Sequence, residues 1–346
     1  MNIIVLAGGY STERDVSLSS GGQIANALTQ NGHKVLLLDP YIGIDSLNTF
    51  ENLYQTHKKS DYSYAIPTTA PDLAALKKAY GNGDALIGKN VLECCKLADV
   101  VFIGLHGSIG ENGQIQALFD VHAIPYTGSG YVGSLLAMDK CLSKQLMVMH
   151  EIPTAPYEII DSENPTIKMK PPYVVKPANG GSSVGITIVH TESDSKKALE
   201  YANLYEEKIL VEKFIEGREF TVGVLDGVAL PSIEIIPKNS DWFDYSSKYQ
   251  GTTDEICPAD IPASLEQKLR SIALKTHNTL RLKHYSRTDF IVDNEGNIFC
   301  LEANSLPGMT PASLVPQQAA EAGIKYNELC EKIVTLALNK VEEHAL

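Results

Sequence analysis

The sequence predicts an α/β protein of two or three domains, and three observations carry that reading. The chain opens strand–helix–strand, a βαβ unit. Its later part is rich in short apolar runs joined by Gly- or Asn-containing turns, the signal of antiparallel hairpins. Its 346 residues are more than one domain usually takes.

The elements follow in order. Asn2 to Leu6 is an apolar strand, Val16 to Gln30 a helix and Lys34 to Asp39 a second strand. The loop Ala7-Gly8-Gly9-Tyr10-Ser11-Thr12-Glu13-Arg14-Asp15 lies at the carboxyl end of the first strand, where ligands collect in open α/β sheets. Residues 41 to 97 read as an elaboration of this domain, with helices over Asp72 to Ala79 and Val91 to Leu97. Asp99 to Leu105 is a third strand. It ends in His106-Gly107-Ser108-Ile109-Gly110-Glu111, so His106 also stands at a strand's carboxyl end, beside a glycine loop. Helices are expected over Gln114 to His122 and Gly133 to His150, the latter carrying Asp139-Lys140.

Beyond Pro171-Pro172, Tyr173 to Pro177 is a strand with Lys176 inside an apolar run, and Ile186 to His190 is another. The Gly/Ser loop between them forms a flap whose backbone N–H groups can close over phosphates. Ser195 to Tyr205 is a helix; Ile209 to Ile215 and Phe220 to Leu225 are strands. Residues 241 to 255 are polar and aromatic with no periodic pattern, and a loop of that length is usually functional or disordered. Pro262 to Leu282 is a helix leading into the last hairpin.

That hairpin concentrates the chemistry. Arg287-Thr288-Asp289-Phe290-Ile291-Val292 and Ile298-Phe299-Cys300-Leu301-Glu302-Ala303-Asn304 flank an Asn/Gly turn. Antiparallel pairing brings Asp289 beside Glu302 and Asn304, and the last two leave the same strand face. Two carboxylates and an amide oxygen, without Cys or His, suit Mg²⁺ that keeps waters and binds substrate phosphates. Arg287 adds a cation on that face.

A net charge of −13 argues against nucleic acid or an anionic membrane as partner. No apolar run approaches the ~18 residues of a membrane helix. The N-terminus reads as a strand rather than a signal peptide, so a cytoplasmic location is expected. The six cysteines show no metal spacing and read as reduced and mostly buried.

Taken together, the ordered motifs resemble the D-alanine–D-alanine ligase family of ATP-grasp enzymes. They are Ser11-Thr12-Glu13-Arg14, His106-Gly107 with Gly110-Glu111, Met138-Asp139-Lys140, and Lys176-Pro177 with Gly181-Ser182-Ser183-Val184-Gly185. Glu216-Gly217-Arg218-Glu219, Tyr245 with Lys248-Tyr249, Arg287-Thr288-Asp289-Phe290 and Glu302-Ala303-Asn304 follow, then Pro307-Gly308-Met309-Thr310 and Ser313-Leu314. The resemblance spans nearly the whole chain.

It implies a Rossmann-like N-terminal domain over residues 1–137 and an α+β ATP-grasp unit of two domains. These are a central domain with the flap, 138–216, and a C-terminal domain, 217–346, with the metal site and a lid loop at 241–257. It implies ATP and D-alanine as substrates, D-alanyl-D-alanine for peptidoglycan precursors as product, two Mg²⁺ ions with Mn²⁺ able to substitute, and a homodimer. In the family's pattern Asp289, Glu302 and Asn304 hold the metals. Lys140 and Lys176 contact the nucleotide's phosphates, with Ser182 and Ser183 in the flap and Lys248 near the transferred group. The strand carrying Glu212, Lys213 and Ile215 borders adenine, and Glu219 the ribose. Glu13 holds the first D-alanine's ammonium with His106 nearby. Arg287 and the Gly308 N–H stabilise an oxyanion, and Ser182 and Tyr249 link with Glu13 across the closed site. Ser313 and the Leu314 N–H take the second substrate's carboxylate. The alternatives are a relative accepting D-serine or D-lactate, another ATP-grasp ligase, and a non-catalytic nucleotide-binding protein.

Overall fold

A computed structural model of the chain describes residues 1–161, 165–181, 184–238 and 253–343, with side chains to residue 339. Three sheets follow one another along the chain. In the first, β1 (Asn2–Leu6), β2 (Lys34–Leu38) and β3 (Val100–Ile103) lie parallel in the order β2-β1-β3. Parallel strands are covered on both faces, which is why β1 and β3 are apolar almost without interruption. The helix Arg14–Gln30 makes the crossover between β1 and β2. The C-terminal helix Tyr326–Glu343 returns to this sheet and buries Leu329, Ile333 and Val334 in the same core.

The second sheet contains β4 (Tyr157–Asp161), β5 (Tyr173–Pro177), β6 (Thr187–Val189) and β7 (Lys208–Lys213) in the antiparallel order β4-β7-β5-β6. The helix Ser195–Asn203 packs Ala198 and Ala202 against Tyr173, Val175 and Val211. The third contains β8 (Gly217–Leu225), β9 (Val228–Ala229), β10 (Ile233–Pro237), β11 (Thr253–Ile256), β12 (Tyr285–Asp293) and β13 (Ile298–Asn304). Its order is β11-β10-β8-β12-β13, with β9 beside β8. The helix Ala263–Thr279 covers one face through Leu269 and Ala273.

The expected α/β class and the final hairpin are both present, but several readings need correction. Gly133 to His150 is two helices, Tyr131–Met138 and Lys140–Met149. Asp139 between them is extended and accepts the Leu142 N–H at 3.0 Å, as an N-cap does. The expected lid loop 241–257 is not irregular throughout, because Thr253–Ile256 is the edge strand β11, paired with β10. Its Thr-Asp-Glu-Ile sequence has little strand propensity, and cross-strand pairing decides its state. The helix Phe50–His57, inside the 41–97 elaboration and not expected there, is capped by Thr49 and turns Phe50 and Leu53 inward. The cysteines are all free; only Cys257 is not fully buried.

Candidate active site

A cavity of about 710 Å³ lies where the three sheets meet. It is lined by Glu13 and His106 from the first sheet's loops and by Lys140, Lys176 and Glu212 from the middle. Arg287, Asp289, Glu302, Asn304, Gly308, Ser313 and Leu314 complete it. Lys213, Ile215 and Glu219 line it too. Every described residue to which the resemblance gives a site role therefore lines this one cavity. Ser182, Ser183, Lys248 and Tyr249, with the 241–252 part of the lid, lie outside the described residues.

At one part of the cavity, Glu13 directly precedes the first helix and is buried. Its carboxylate faces the wall made by His106-Gly107. A Cβ on Gly107 would stand 2.6 Å from Glu13 Oε2 and 2.7 Å from Ser11 Oγ, and Gly107 has φ +65°. Both close approach and left-handed backbone therefore require glycine there. A Cβ on Gly181, at the flap, would lie 3.3 Å from the same oxygen, so flap and Glu13 are neighbours. His106 Nε2 is 3.1 Å from Ser20 Oγ, and its Nδ1 is 3.5 Å from Glu111 Oε1. Arg14 turns away from this end, pairing with Asp39 at 2.5 Å.

The lysine wall is built by the helix break. Because Lys140–Met149 starts at Asp139, Lys140 falls in a first turn facing the flap. Its Nζ donates to Gly180 O at 2.6 Å and lies 3.7 Å from Glu302 Oε2. Lys176 is buried and donates to Glu212 Oε1. Lys144, 1% exposed, sits 2.7 Å from Glu212 Oε2 and also contacts Thr154 and the Cys300 carbonyl. Burial opposes ionisation of Glu212, but Lys144 and Lys176 overcome it and hold the carboxyl well below the usual range. Two lysines share one carboxylate, and they fare differently. Burial lowers Lys144, whereas at Lys176 the burial cost is outweighed by Glu212 and Glu302, which raise it. Glu212, expected to border adenine, is thus also the counter-ion of two buried lysines. Lys144 was missed, although it lies four residues after Lys140 and so on the same helix face.

At the final hairpin the register is direct: Asp289 is paired with Glu302 and Arg287 with Asn304. The Arg287 guanidinium forks onto Asp289, Nε to Oδ1 and Nη2 to Oδ2, both at 2.9 Å. Thr221 Oγ1 donates to Asp289 Oδ1 at 2.6 Å, and Asn304 Nδ2 to Oδ2 at 3.2 Å. A register shift between Asp289 and Phe290 marks a bulge, a common device for aiming side chains at sites. Thr221 was also missed; its signal was a polar residue within the buried run Phe220-Thr221-Val222. Among the described residues no three or more His, Cys, Asp or Glu side chains gather as a metal cage. Two facing carboxylates and an amide form a partial set of hard oxygens. That fits Mg²⁺, which takes its remaining ligands from water and phosphate.

Beyond the hairpin, Ser313 precedes the helix Leu314–Glu321. Its Oγ accepts from Thr310 N at 3.1 Å and lies 2.8 Å from Thr310 Oγ1. The Leu314 N–H belongs to a helix's first turn, where backbone donors lack intrahelical partners and favour carboxylates.

Comparisons with known proteins identify the family. Residues 2–129 match the family model for the D-ala D-ala ligase N-terminus, and 146–335 that for the D-ala D-ala ligase C-terminus. The chain is 42% identical over 343 residues to a D-alanine--D-alanine ligase of Pediococcus pentosaceus, covering 96% of this chain and 97% of that one. It is 39% identical over 349 residues to that of Sphingopyxis alaskensis, covering 97% and 98%. The fold is similar to the crystal structure of D-alanine--D-alanine ligase from Bacillus anthracis complexed with ATP, at TM-score 0.75 and 27% identity over 99% of both chains. With matches to both halves and full-length relatives well above 30% identity, the chain belongs to the D-alanine–D-alanine ligase family.

Proposed function

We propose that the cavity joins two D-alanine molecules at the expense of ATP, as a D-alanine–D-alanine ligase. The observation that carries this reading is one cavity lined both by a buried carboxylate, Glu13, and by the carboxylate–amide hairpin. The γ-phosphoryl group passes to the carboxylate of the first D-alanine, giving D-alanyl phosphate and ADP. The amine of the second D-alanine attacks that carbonyl, and phosphate leaves.

The family's pattern gives each residue its role, and the lining of one cavity by the described ones supports it. Glu13 holds the first ammonium, and His106 lies beside it. Lys140 and Lys176 face the phosphates, where transfer needs charge neutralisation more than covalent help from protein. The Glu212–Ile215 stretch borders adenine and Glu219 the ribose. Asp289, Glu302 and Asn304 would hold Mg²⁺, which supplies charge neutralisation along the phosphates. Arg287 keeps Asp289 oriented, and with the Gly308 N–H faces the oxyanion formed when the amine attacks. Ser313 and the Leu314 N–H receive the second carboxylate. The flap and lid residues Ser182, Ser183, Lys248 and Tyr249 complete the closed site, excluding water that would hydrolyse the acyl phosphate.

The second substrate is read as D-alanine; Lys248-Tyr249 speaks against D-lactate, since D-lactate members of the family usually alter that tyrosine, and D-serine is separated by the assay. The test is phosphate release from ATP with D-alanine alone and then with D-serine or D-lactate added. Unchanged release and only D-alanyl-D-alanine as product uphold it; preferential incorporation of either competitor at the second position overturns it. Residues 1–137, 138–216 and 217–346 are taken as the three domains. A cytoplasmic homodimer is part of the same reading, and light scattering of the purified protein checks the dimer. Among the described residues no helix is long and apolar enough to cross a membrane.

A further inference from the structure

The polar stretch after Phe50–His57 has no repeat or motif, yet it is pinned along the helix that carries Glu13. Asn26 Oδ1 accepts the Tyr62 N–H at 2.9 Å, and its amide donates to Asp61 Oδ1 at 2.8 Å and Ser63 Oγ at 3.2 Å. Gly22 lets the Tyr62 carbonyl approach so closely that any Cβ there would collide with it. The Tyr62 hydroxyl donates to Val35 O at 3.0 Å. The Tyr64 hydroxyl donates to Asp15 Oδ1 at 2.7 Å. Asp15, Gly22 and Asn26 are spaced seven and four apart, which places them on one face of the helix. The strap therefore runs from the helix's C-terminal half towards its N-terminus. Two further extended residues reach roughly 7 Å beyond Tyr64, and Pro67 biases Ile66 to extended backbone. Ile66 consequently reaches the cavity, which it lines with Glu13, Val16 and His106.

We propose that this strap is the selectivity wall of the first amino-acid subsite, with Ile66 limiting the size of the side chain accepted there. The proposal rests on the reading of Glu13 as the group that holds the first ammonium. An ammonium fixed at Glu13 puts the substrate's side chain within reach of neighbouring apolar groups, and Ile66 and Val16 are aliphatic side chains that line the cavity with Glu13. Ile66 is 43% exposed, so its side chain borders the cavity rather than filling the core. Tyr64 acts through it: the bond to Asp15 fixes the strap two residues before the wall.

The two subsites are separated by reading the order of residues in the product. The enzyme is given ATP with equimolar D-alanine and D-2-aminobutyrate, and tandem mass spectrometry identifies the N-terminal residue of each dipeptide. Discrimination against one extra methylene in an apolar pocket is typically ~10–200-fold. Ile66→Ala is expected to raise the D-2-aminobutyrate share at the N-terminal position about tenfold, with the C-terminal share unchanged. Tyr64→Phe is expected to shift it the same way by less. An N-terminal share unmoved in Ile66→Ala, or equal shifts at both positions, overturns the proposal. A wild-type enzyme that forms no dipeptide from D-alanine sinks the underlying reading instead, an outcome recognisable before any variant is made.

Discussion

Asp289 on β12 and Glu302 on β13 are directly paired across the final hairpin, and the same Asp289 carboxylate is clasped by Arg287 at 2.9 Å through both oxygens. One acid is thus held by protein donors, while its partner is half-buried and faces Lys140. Glu302→Gln removes a charge from the less restrained acid. The variant is expected to stay folded, because the repulsion between two clustered acids that it relieves offsets the attraction to Lys140 and Lys176 that it weakens. Its kcat should fall by about 10²–10³-fold, the scale for losing one electrostatic contributor to a transition state. Near-normal kcat in a folded variant would remove Glu302 from the mechanism.

Glu212 serves two buried lysines, and its neutralisation leaves both without their shared counter-ion. Breaking a buried pair from one side typically costs about 3–5 kcal/mol. Glu212→Gln should lower the unfolding free energy in urea by about that amount. Adding Lys144→Met to it should recover part of the loss, since one stranded charge is then gone. Additive effects of the two substitutions would show that the pair is not coupled.

Much of this site was legible in the sequence because acids and lysines interrupt strands that should otherwise be apolar. Asp289, Glu302 and Lys176 stand out for that reason, and the hairpin turn fixes which ends meet. Lys144 did not stand out, since a lysine on a helix usually faces water; only the packing of Lys140–Met149 against Cys300 and Glu212 makes it a buried charge. The split at Asp139 was equally hidden, because Met138-Asp139-Lys140 satisfies the helical pattern on both sides. β11 and the strap at 61–66 owe their conformation to partners far away in sequence, which local propensity does not report.

Gly107→Ala tests the amino-acid end. The added Cβ would press on the Glu13 carboxylate and Ser11, and φ +65° strains any residue with a side chain. The expected result is a loss of kcat/KM for D-alanine of about 10²-fold, the scale for ~1 Å misplacement of a binding group. ATP affinity, measured by calorimetry, should be nearly unchanged. An equal loss of ATP affinity would mean that the substitution damages more than this wall.

His277 gives the fold a pH dependence separate from the chemistry. Burial pushes its imidazole down to about 4 from an ordinary 6.5, and Nδ1 is 2.7 Å from Ser286 Oγ. The unfolded chain therefore takes up this proton at higher pH than the folded one. The stabilisation is fully present above about pH 6.5 and is lost as pH falls from there towards 4. Over that window the contribution amounts to roughly 3 kcal/mol. The unfolding free energy of wild type should fall between pH 6.5 and 5 more steeply than that of His277→Gln. Parallel slopes would show that this histidine does not titrate differently on folding.

The central claim is that one cavity couples ATP cleavage to the joining of two D-alanines. The most direct test is the stoichiometry of ADP released to D-alanyl-D-alanine formed by the purified protein with Mg²⁺. The account predicts one ADP per dipeptide and no release above background with L-alanine. ADP released without dipeptide, or no D-alanine-dependent release at all, would contradict it.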